Sequence, residues 1–318
     1  MHRSSTFRGL AIAVAAALAF GMSGPFVKPL LEAGWSPAAA VTTRALVGGL
    51  VLAPMGVIAL RGRWRQLWRS RNHILIIGLI GVAATQLAYF AAIQTIPVGT
   101  GILIEFMAPL LLVAFVWARS RKAPGAVVIF GSVFALVGLF LVVSPSGGAQ
   151  LDALGLMWAA AAAVGCAVYF VVAAKVDPEL PTIAIASVSL LLGGAVLGLV
   201  GLTGAMPLTA TFGTVNLFDG TAPWWVPMLI VAVVATGVSY SFSIKASQLL
   251  GARLASFAGL LEVVAATVYA WLLLGEQLGL PQLIGGGLIL AGIALVRSEK
   301  TADPVAPTTG PITLERAA

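Results

Sequence analysis

The chain has 318 residues, of which 60% are hydrophobic and 9% are charged, whereas about a quarter of the residues of a soluble domain are charged. This composition excludes an ordinary soluble domain and indicates that a lipid bilayer surrounds most of the chain. The net charge of +7 does not indicate nucleic-acid binding, because the basic residues lie in short segments between apolar runs and face lipid headgroups. The single cysteine, Cys166, excludes an intrachain disulfide and a cysteine metal cluster, and we interpret it as a packing residue.

Ten apolar runs along the chain are long enough to cross a bilayer as helices. They are predicted near Leu10 to Val27, Ala38 to Leu60, Ile74 to Ile93, Val98 to Ala118, Gly125 to Val143, Ala153 to Ala174, Ile183 to Gly204, Trp224 to Ile244, Leu254 to Leu274 and Gln282 to Val296. A lipid-exposed backbone must satisfy its hydrogen bonds within its own segment, and these runs are too long for barrel strands. The sequence therefore predicts an all-α integral membrane protein with ten transmembrane helices.

The first apolar run has a second interpretation. Arg3 and Arg8 precede an alanine-rich stretch, which is also the pattern of a secretory signal. We favour a membrane span, because all the loops obey a single orientation when this run is retained. Residues near Gly21, Gly24, Pro25 and Pro29 interrupt its outer end, which indicates either backbone exposed to a substrate site or an ordinary proline kink.

The basic residues between the spans indicate the orientation of the protein. With the N-terminus inside, the outer loops carry only Lys28, and the cytoplasmic side carries Arg3, Arg8, Arg61, Arg63, Arg65, Arg69, Arg71, Arg119, Arg121, Lys122, Lys175, Lys245, Arg253, Arg297, Lys300 and Arg316. The pattern predicts a multi-pass protein with both termini in the cytoplasm. For Lys245 and Arg253 we favour snorkelling to the headgroups.

An internal repeat divides the chain. A shift of 154 residues superimposes Gln94 on Gln248, Trp117 on Trp271, Gly131 on Gly285 and Gly138 on Gly292. Because each repeat holds five spans, an odd number, the second copy must enter the membrane from the opposite side. We predict a first repeat over 1–146, a second over 147–298 and a disordered cytoplasmic tail over 299–318. Inverted repeats are typical of alternating-access carriers.

Two motifs resemble those of a known family. The first is the run from Ile104 to Leu110, which contains Glu105 and Pro109, and the second comprises Tyr240, Arg253 and Glu262 with the turn at Glu276. They resemble the drug/metabolite transporter superfamily and its EamA-type members, most closely the bacterial threonine/homoserine exporters. Those exporters carry a proline where this chain has Val263 after the second glutamate. The resemblance implies efflux of small metabolites or amino acids across a bacterial inner membrane, driven by ion or substrate exchange.

Charged residues inside the apolar runs are candidates for substrate binding, because each costs a few kcal/mol or more in a bilayer. Arg44 and Glu105 are both expected about 10 Å below the outer surface, at roughly 1.5 Å per helical residue. They form either a substrate-binding or gating ion pair on the outer side or a structural salt bridge between helices. Glu262 is expected near the midplane, where it would relay protons, hold a substrate ammonium, or remain a neutral, hydrogen-bonded carboxyl. Gln86, Tyr89, Gln94 and Tyr240 are candidate cavity residues, although such side chains also join helices in bundles.

Other classes of protein fit the sequence less well. The chain has no H-E-x-x-H or P-loop motif, its two histidines are isolated, and its four aspartates lie singly, so we predict no catalytic residue, metal or cofactor. A channel lacks a visible filter motif, and uptake remains an alternative to export. The expected partners are a small-molecule substrate, the bilayer and protons. Trp35, Trp64, Trp68, Trp224 and Trp225 are expected to anchor span ends.

Overall fold

The computed structural model describes residues 2–96, 98–121, 123–143, 152–218, 220–275 and 279–299. Within these ranges, nine helical stretches are long and apolar enough to cross a membrane, and Leu261–Leu274 is a shorter apolar helix. The longest stretch, Trp225–Gly259, contains one whole span and the beginning of the next. The prediction of ten membrane-spanning helices is therefore confirmed.

The spans are numbered here in chain order. In the first half, span 1 comprises His2–Gly21 and Ser23–Glu32, span 2 is Pro37–Ala59, span 3 comprises Arg71–Ile76, Ile77–Ala84 and Thr85–Ala92, span 4 comprises Val98–Glu105 and Ala108–Ser120, and span 5 is Ala126–Val143. In the second half, span 6 is Ala153–Ala173, span 7 is Thr182–Leu202, span 8 comprises Trp225–Leu229, Ile230–Val238 and the part of Ser239–Gly259 before Gly251, span 9 comprises the rest of that helix and Leu261–Leu274, and span 10 is Leu280–Ser298. A short helix, Trp64–Arg69, joins spans 2 and 3.

Two boundaries differ from the prediction. Span 1 continues to Glu32 rather than Val27, and its helix is interrupted at Met22, close to the predicted glycines. Spans 8 and 9 are separated by one residue, Gly251, whose φ of +75° lies in the region that favours glycine. Gly251 lies within the gap that the sequence predicted between Ile244 and Leu254, but the helix of span 8 continues past Ile244 up to this glycine.

Spans 5 and 10 run antiparallel and pack through glycines. A Cβ at Gly138 would lie 2.5 Å from the carbonyl oxygen of Gly285, and one at Gly292 would lie 2.7 Å from that of Gly131. Position 131 on one helix thus faces position 292 on the other, and position 138 faces position 285. The fifth helices of the two repeats have opposite directions, as an inverted repeat requires.

The other helix pairs follow the same internal twofold symmetry. Span 2 packs against span 7, its counterpart in the second repeat. Span 1 packs against span 8, and in the same way span 6 packs against span 3. Each repeat therefore contributes its first and third helices to contacts with the other repeat, which makes the two halves interlock.

Irregular turns occur at equivalent places in both repeats. Span 4 is interrupted between Glu105 and Ala108, and span 9 is interrupted at Leu260, which matches Phe106 under the 154-residue shift. Spans 3 and 8 each contain a π-helical segment, Ile77–Ala84 and Ile230–Val238. π-Helical segments are rare and often occur at functional sites. The structure thus has four symmetric helix irregularities near its centre.

A β-hairpin between spans 7 and 8 departs from the all-α prediction. Thr214–Leu217 pairs antiparallel with Gly220–Pro223. The segment before it binds the turn after span 1, where Trp35 Nε1 donates to the carbonyl oxygen of Thr211 at 2.7 Å. Trp35 is only 4% exposed, so its interpretation as a membrane anchor is wrong. Strands of four residues, mostly exposed, leave no clear hydrophobic pattern in the sequence.

Some predictions fall outside the described residues. These are the repeat boundary at 146/147, the turn at Glu276 and the tail from residue 300.

Candidate functional site

A cavity of about 610 Å³ lies between the two halves. Side chains from spans 1 to 6, 8 and 9 line it, so both repeats contribute to its wall. Its volume falls within the 300–1,000 Å³ that is usual for small-molecule sites. The interruptions of spans 1, 4 and 9 all adjoin it, at Gly21 and Ser23, at Glu105 and Phe106, and at Gly259 and Glu262.

The structure brings all six predicted site residues together. The lining of the cavity includes Arg44, Gln86, Tyr89, Glu105, Tyr240 and Glu262. A further candidate, Gln94, is exposed near the end of span 3 and does not line the cavity. The charged and polar residues that the sequence placed on five different spans therefore line a single cavity.

The interruption of span 1 holds the arginine in place. Arg44, on span 2, donates a hydrogen bond of 2.9 Å from a guanidinium nitrogen to Ser23 Oγ. Ser23 is the first residue after the interruption, and its side chain also lines the cavity. In the part of the chain that the structure describes, no carboxylate lies within 4.0 Å of Arg44. Glu105 and Glu262 line the same cavity as the arginine.

Each carboxylate adjoins an interrupted helix. Glu105 is the last residue of the first half of span 4, and Glu262 lies in the first turn of the second half of span 9. A carboxylate is favourable in a first turn, because the helix dipole gives that end a partial positive charge. Both glutamates are partly exposed, and the surface they expose faces the cavity. Neither has a protein hydrogen-bond partner within the described ranges, so both are available to a ligand or to water.

Four aromatic rings form one continuous wall. The rings pack edge to face in a chain. The ring centroids of Phe20 and Tyr240 are 5.2 Å apart, those of Tyr240 and Tyr169 are 5.7 Å apart, and those of Tyr169 and Phe170 are 5.2 Å apart. All four side chains line the cavity. The Tyr169 hydroxyl is buried beside Ser243 and makes no hydrogen bond of ordinary geometry within the described part of the chain.

Sequence reasoning missed Tyr169. Its neighbours Cys166 and Phe170 lie on the same cavity wall, although Cys166 was interpreted as packing. Cys166 does pack against a small cluster that contains Ala108 and Ala167, so it has both roles. The available signal was a tyrosine inside an apolar span, which is the signal that had already marked Tyr89 and Tyr240.

Equivalent positions of the two repeats face the cavity but carry different side chains. Under the 154-residue shift, Gln86 corresponds to Tyr240, and Tyr89 to Ser243. Glu105 corresponds to Gly259, and Glu262 to Ala108. All of these residues line the cavity. Equivalent backbone positions thus line the cavity with chemically different side chains.

Two basic residues on either side of Gly251, Lys245 on span 8 and Arg253 on span 9, do not line the cavity. Arg253 forms an ion pair of 2.5 Å with Glu299 at the end of span 10. Lys245 lies 3.3 Å from Gln248 Oε1 and 3.5 Å from the carbonyl oxygen of Pro178. Both therefore make specific protein contacts, whereas the sequence analysis expected their side chains only to reach toward the lipid headgroups.

A membrane protein of ten helices, in which two inverted five-helix repeats enclose a cavity with a few charged and polar side chains, has the architecture of a secondary transporter. The EamA-like transporter family matches residues 7–144 and 153–298, and the chain belongs to this family. The expected resemblance to EamA-type members of the drug/metabolite transporter superfamily is thus confirmed.

Individual relatives agree with this assignment. The uncharacterized inner membrane transporter YicL of Salmonella typhimurium is 25% identical over 92% of this chain and 96% of its own length. The uncharacterized transporter YvbV of Bacillus subtilis is 25% identical over 87% of this chain and 85% of its own. One solved crystal structure is similar with a TM-score of 0.67 and 19% identity, and covers 92% of this chain and 96% of that chain. At that identity the likeness concerns the fold alone.

Proposed function

We propose that the protein is an alternating-access carrier that exports small metabolites or amino acids across a bacterial inner membrane. The observation that carries the proposal is the central cavity, which both inverted repeats line and in which all six candidate residues meet. A carrier needs one binding site that two opposed halves open in turn to either side. A channel instead needs a continuous pore with a selective constriction.

The helix irregularities support a rocking movement of the two halves. Spans 4 and 9 are interrupted beside the cavity at equivalent positions, and spans 3 and 8 carry equivalent π-helical segments. Interrupted helices place backbone groups at a substrate site without exposing them to lipid. Movement at one set of these turns would close the cavity on one side, and movement at the other set would close it on the opposite side.

The polar groups suit a substrate with an ammonium group. Glu262 would contact this ammonium or a coupled proton, and Arg44 with Glu105 would shape the outer gate. Gln86, Tyr89 and Tyr240 would contact the rest of the substrate. The threonine/homoserine exporters that the motifs resemble make amino acids the first candidates. The loop charges support an orientation with both termini in the cytoplasm, and 1–146 and 147–298 are proposed as the two repeat units.

Counterflow in proteoliposomes tests this proposal. Vesicles loaded with one unlabelled amino acid at a time receive a trace of the same labelled compound outside, with and without an imposed pH gradient. We expect saturable uptake that internal substrate stimulates, because exchange returns the empty site to the outer face. Flux that neither saturates nor responds to internal substrate would indicate a channel and contradict the proposal.

Glu32→Gln is a suitable control for this assay. Glu32 is an exposed residue at the outer end of span 1 and does not line the cavity. This variant is expected to exchange substrate at the wild-type rate, whereas Glu262→Gln is expected to lose exchange. Normal exchange by Glu262→Gln under an imposed pH gradient would remove the role proposed for that carboxylate.

A further inference from the structure

We infer that the preferred occupant of the cavity is an organic monocation, an amine with an apolar or aromatic body, rather than a zwitterion or an anion. This inference rests on the proposed function and narrows it: among small metabolites, a monocationic amine would be preferred to the zwitterionic amino acids that the motif resemblance makes the first candidates. Its basis is that the cavity holds two acidic groups but one basic group, together with a continuous aromatic wall.

The charges of the cavity do not balance. Among the described residues that line it, the charged side chains are Arg44, Glu105 and Glu262. One guanidinium can neutralise one carboxylate but not two, so ionisation of both glutamates would leave a net negative charge, which is costly in these surroundings. Without a further cation, one of the two carboxyls must therefore remain protonated.

The repeat symmetry supplies no basic partner for either glutamate. Each glutamate corresponds to a small uncharged residue in the other repeat, Glu105 to Gly259 and Glu262 to Ala108. Neither carboxylate therefore has a basic counterpart at the equivalent position. The arginine that is present also already donates to Ser23, which fixes it on the wall formed by spans 1 and 2. An ammonium group of the substrate would supply the missing positive charge.

The aromatic wall suits the same occupant. Phe20, Tyr240, Tyr169 and Phe170 present rings from three spans in continuous contact. The faces of aromatic rings attract organic cations, and the attraction strengthens when water is excluded. The same rings also accept a planar apolar body. A zwitterion would add no net charge, and an anion would increase the imbalance.

Three probes with the same phenyl body and different charge test this inference. Phenethylamine carries a positive charge, phenylalanine is a zwitterion, and 3-phenylpropionate is an anion. Binding to the purified protein in detergent is measured by calorimetry at one fixed pH, and uptake into proteoliposomes is measured separately. We expect phenethylamine to bind at least about tenfold more tightly than phenylalanine, and 3-phenylpropionate to bind most weakly.

Two substitutions change the ratio of acidic to basic groups in the cavity in opposite directions. Glu105→Gln leaves one arginine and one glutamate, so the preference for the amine over phenylalanine is expected to fall to within about threefold. Arg44→Gln leaves two glutamates unopposed, so this preference is expected to increase. A folding defect would weaken all probes together and cannot produce opposite changes. Glu32→Gln is expected to retain the wild-type preference.

The outcomes separate this inference from the proposed function. Saturable transport of phenylalanine with equal or tighter binding than phenethylamine would overturn the cation preference and leave the carrier intact. Tight, charge-dependent binding of phenethylamine without transport of any probe would support the cation site and contradict the carrier. A preference that does not change in either variant, or the absence of binding by all three probes, would overturn the inference.

Discussion

The same internal twofold relates the helices at two places, the interface between spans 5 and 10 and the central cavity. The two places differ in whether equivalent positions carry the same residue. At the interface, equivalent positions carry the same residue, because Gly131 matches Gly285 and Gly138 matches Gly292. In the cavity, equivalent positions carry different residues, such as Gln86 and Tyr240. In these two regions the helices are related by the twofold, whereas the side chains at equivalent positions match at the interface and differ in the cavity.

The physical reason lies in the available space. A Cβ at any of the four interface glycines would lie within 3.0 Å of atoms of the opposite helix, including backbone carbonyl oxygens. Both copies must therefore remain glycine. Cavity positions face open volume, so one copy can change without a clash. We infer that the symmetric backbone supports exchange between two equivalent states, while the asymmetric lining determines what is recognised.

Enlarging one interface glycine should produce the largest effect. Gly138→Val would place side-chain atoms against the Gly285 carbonyl and the backbone of Ile289, which a rotamer change cannot relieve. We expect a loss of about 3 kcal/mol of stability and a clearly lower thermal midpoint in detergent. Gly287→Val, on span 10 and with open space around its Cβ, is the matched control. Equal midpoints for the two variants would contradict the packing argument.

Neutralising the carboxylate of span 9 should affect transport and not stability. Glu262→Gln keeps the shape of the side chain and removes its charge from the cavity. We expect exchange to fall at least about tenfold, with the thermal midpoint nearly unchanged. The initial rate of counterflow measures the first effect and unfolding in detergent measures the second. A large loss of stability with normal exchange would place Glu262 among the structural residues.

Making a cavity position symmetric should have a moderate effect. Tyr240→Gln gives both repeats a glutamine at this position and removes the ring contacts with Phe20 and Tyr169. Because such aromatic pairs contribute about 0.5–1.5 kcal/mol, we expect substrate affinity to fall about fivefold. Competition by unlabelled substrate in counterflow measures this affinity. An unchanged affinity would show that the asymmetry at this position does not contribute to recognition.

Releasing the arginine should have the smallest effect. Ser23→Ala removes the hydroxyl that accepts from Arg44, but water in the cavity can replace it. We expect a rise in KM of about threefold with little change in maximal rate. Thr267→Val is the control, because the Thr267 hydroxyl donates within its own helix, to the carbonyl oxygen of Val263, on another part of the cavity wall. A larger effect in the control would contradict the role assigned to Ser23.

The sequence predicted the features that depend on local composition. Hydropathy identified ten spans, and the odd number of helices in each repeat predicted the inversion that the antiparallel spans 5 and 10 display. Polar residues within apolar runs identified six side chains that meet in one cavity, because a bilayer makes each of them costly.

The features that the sequence did not predict depend on backbone geometry or on distant contacts. The π-helical segments of spans 3 and 8 contain no proline and read as ordinary apolar helix. Trp35 was taken as a membrane anchor because its hydrogen-bond partner, Thr211, lies far away in the chain. The hydrogen bond from Arg44 to Ser23 depends in the same way on how span 1 is interrupted, which a pattern of glycines and prolines does not specify.

Labelling of Cys166 tests the central claim most directly. This residue is the only cysteine of the chain, and it lines the cavity, so the wild-type protein needs no background substitutions. A small, membrane-impermeant methanethiosulfonate reagent is added outside right-side-out vesicles and outside inverted vesicles, with and without saturating transported substrate. Alternating access to one site predicts labelling from both sides, with protection by substrate in each case. Labelling from one side only, or labelling that a transported substrate does not slow, would contradict the account.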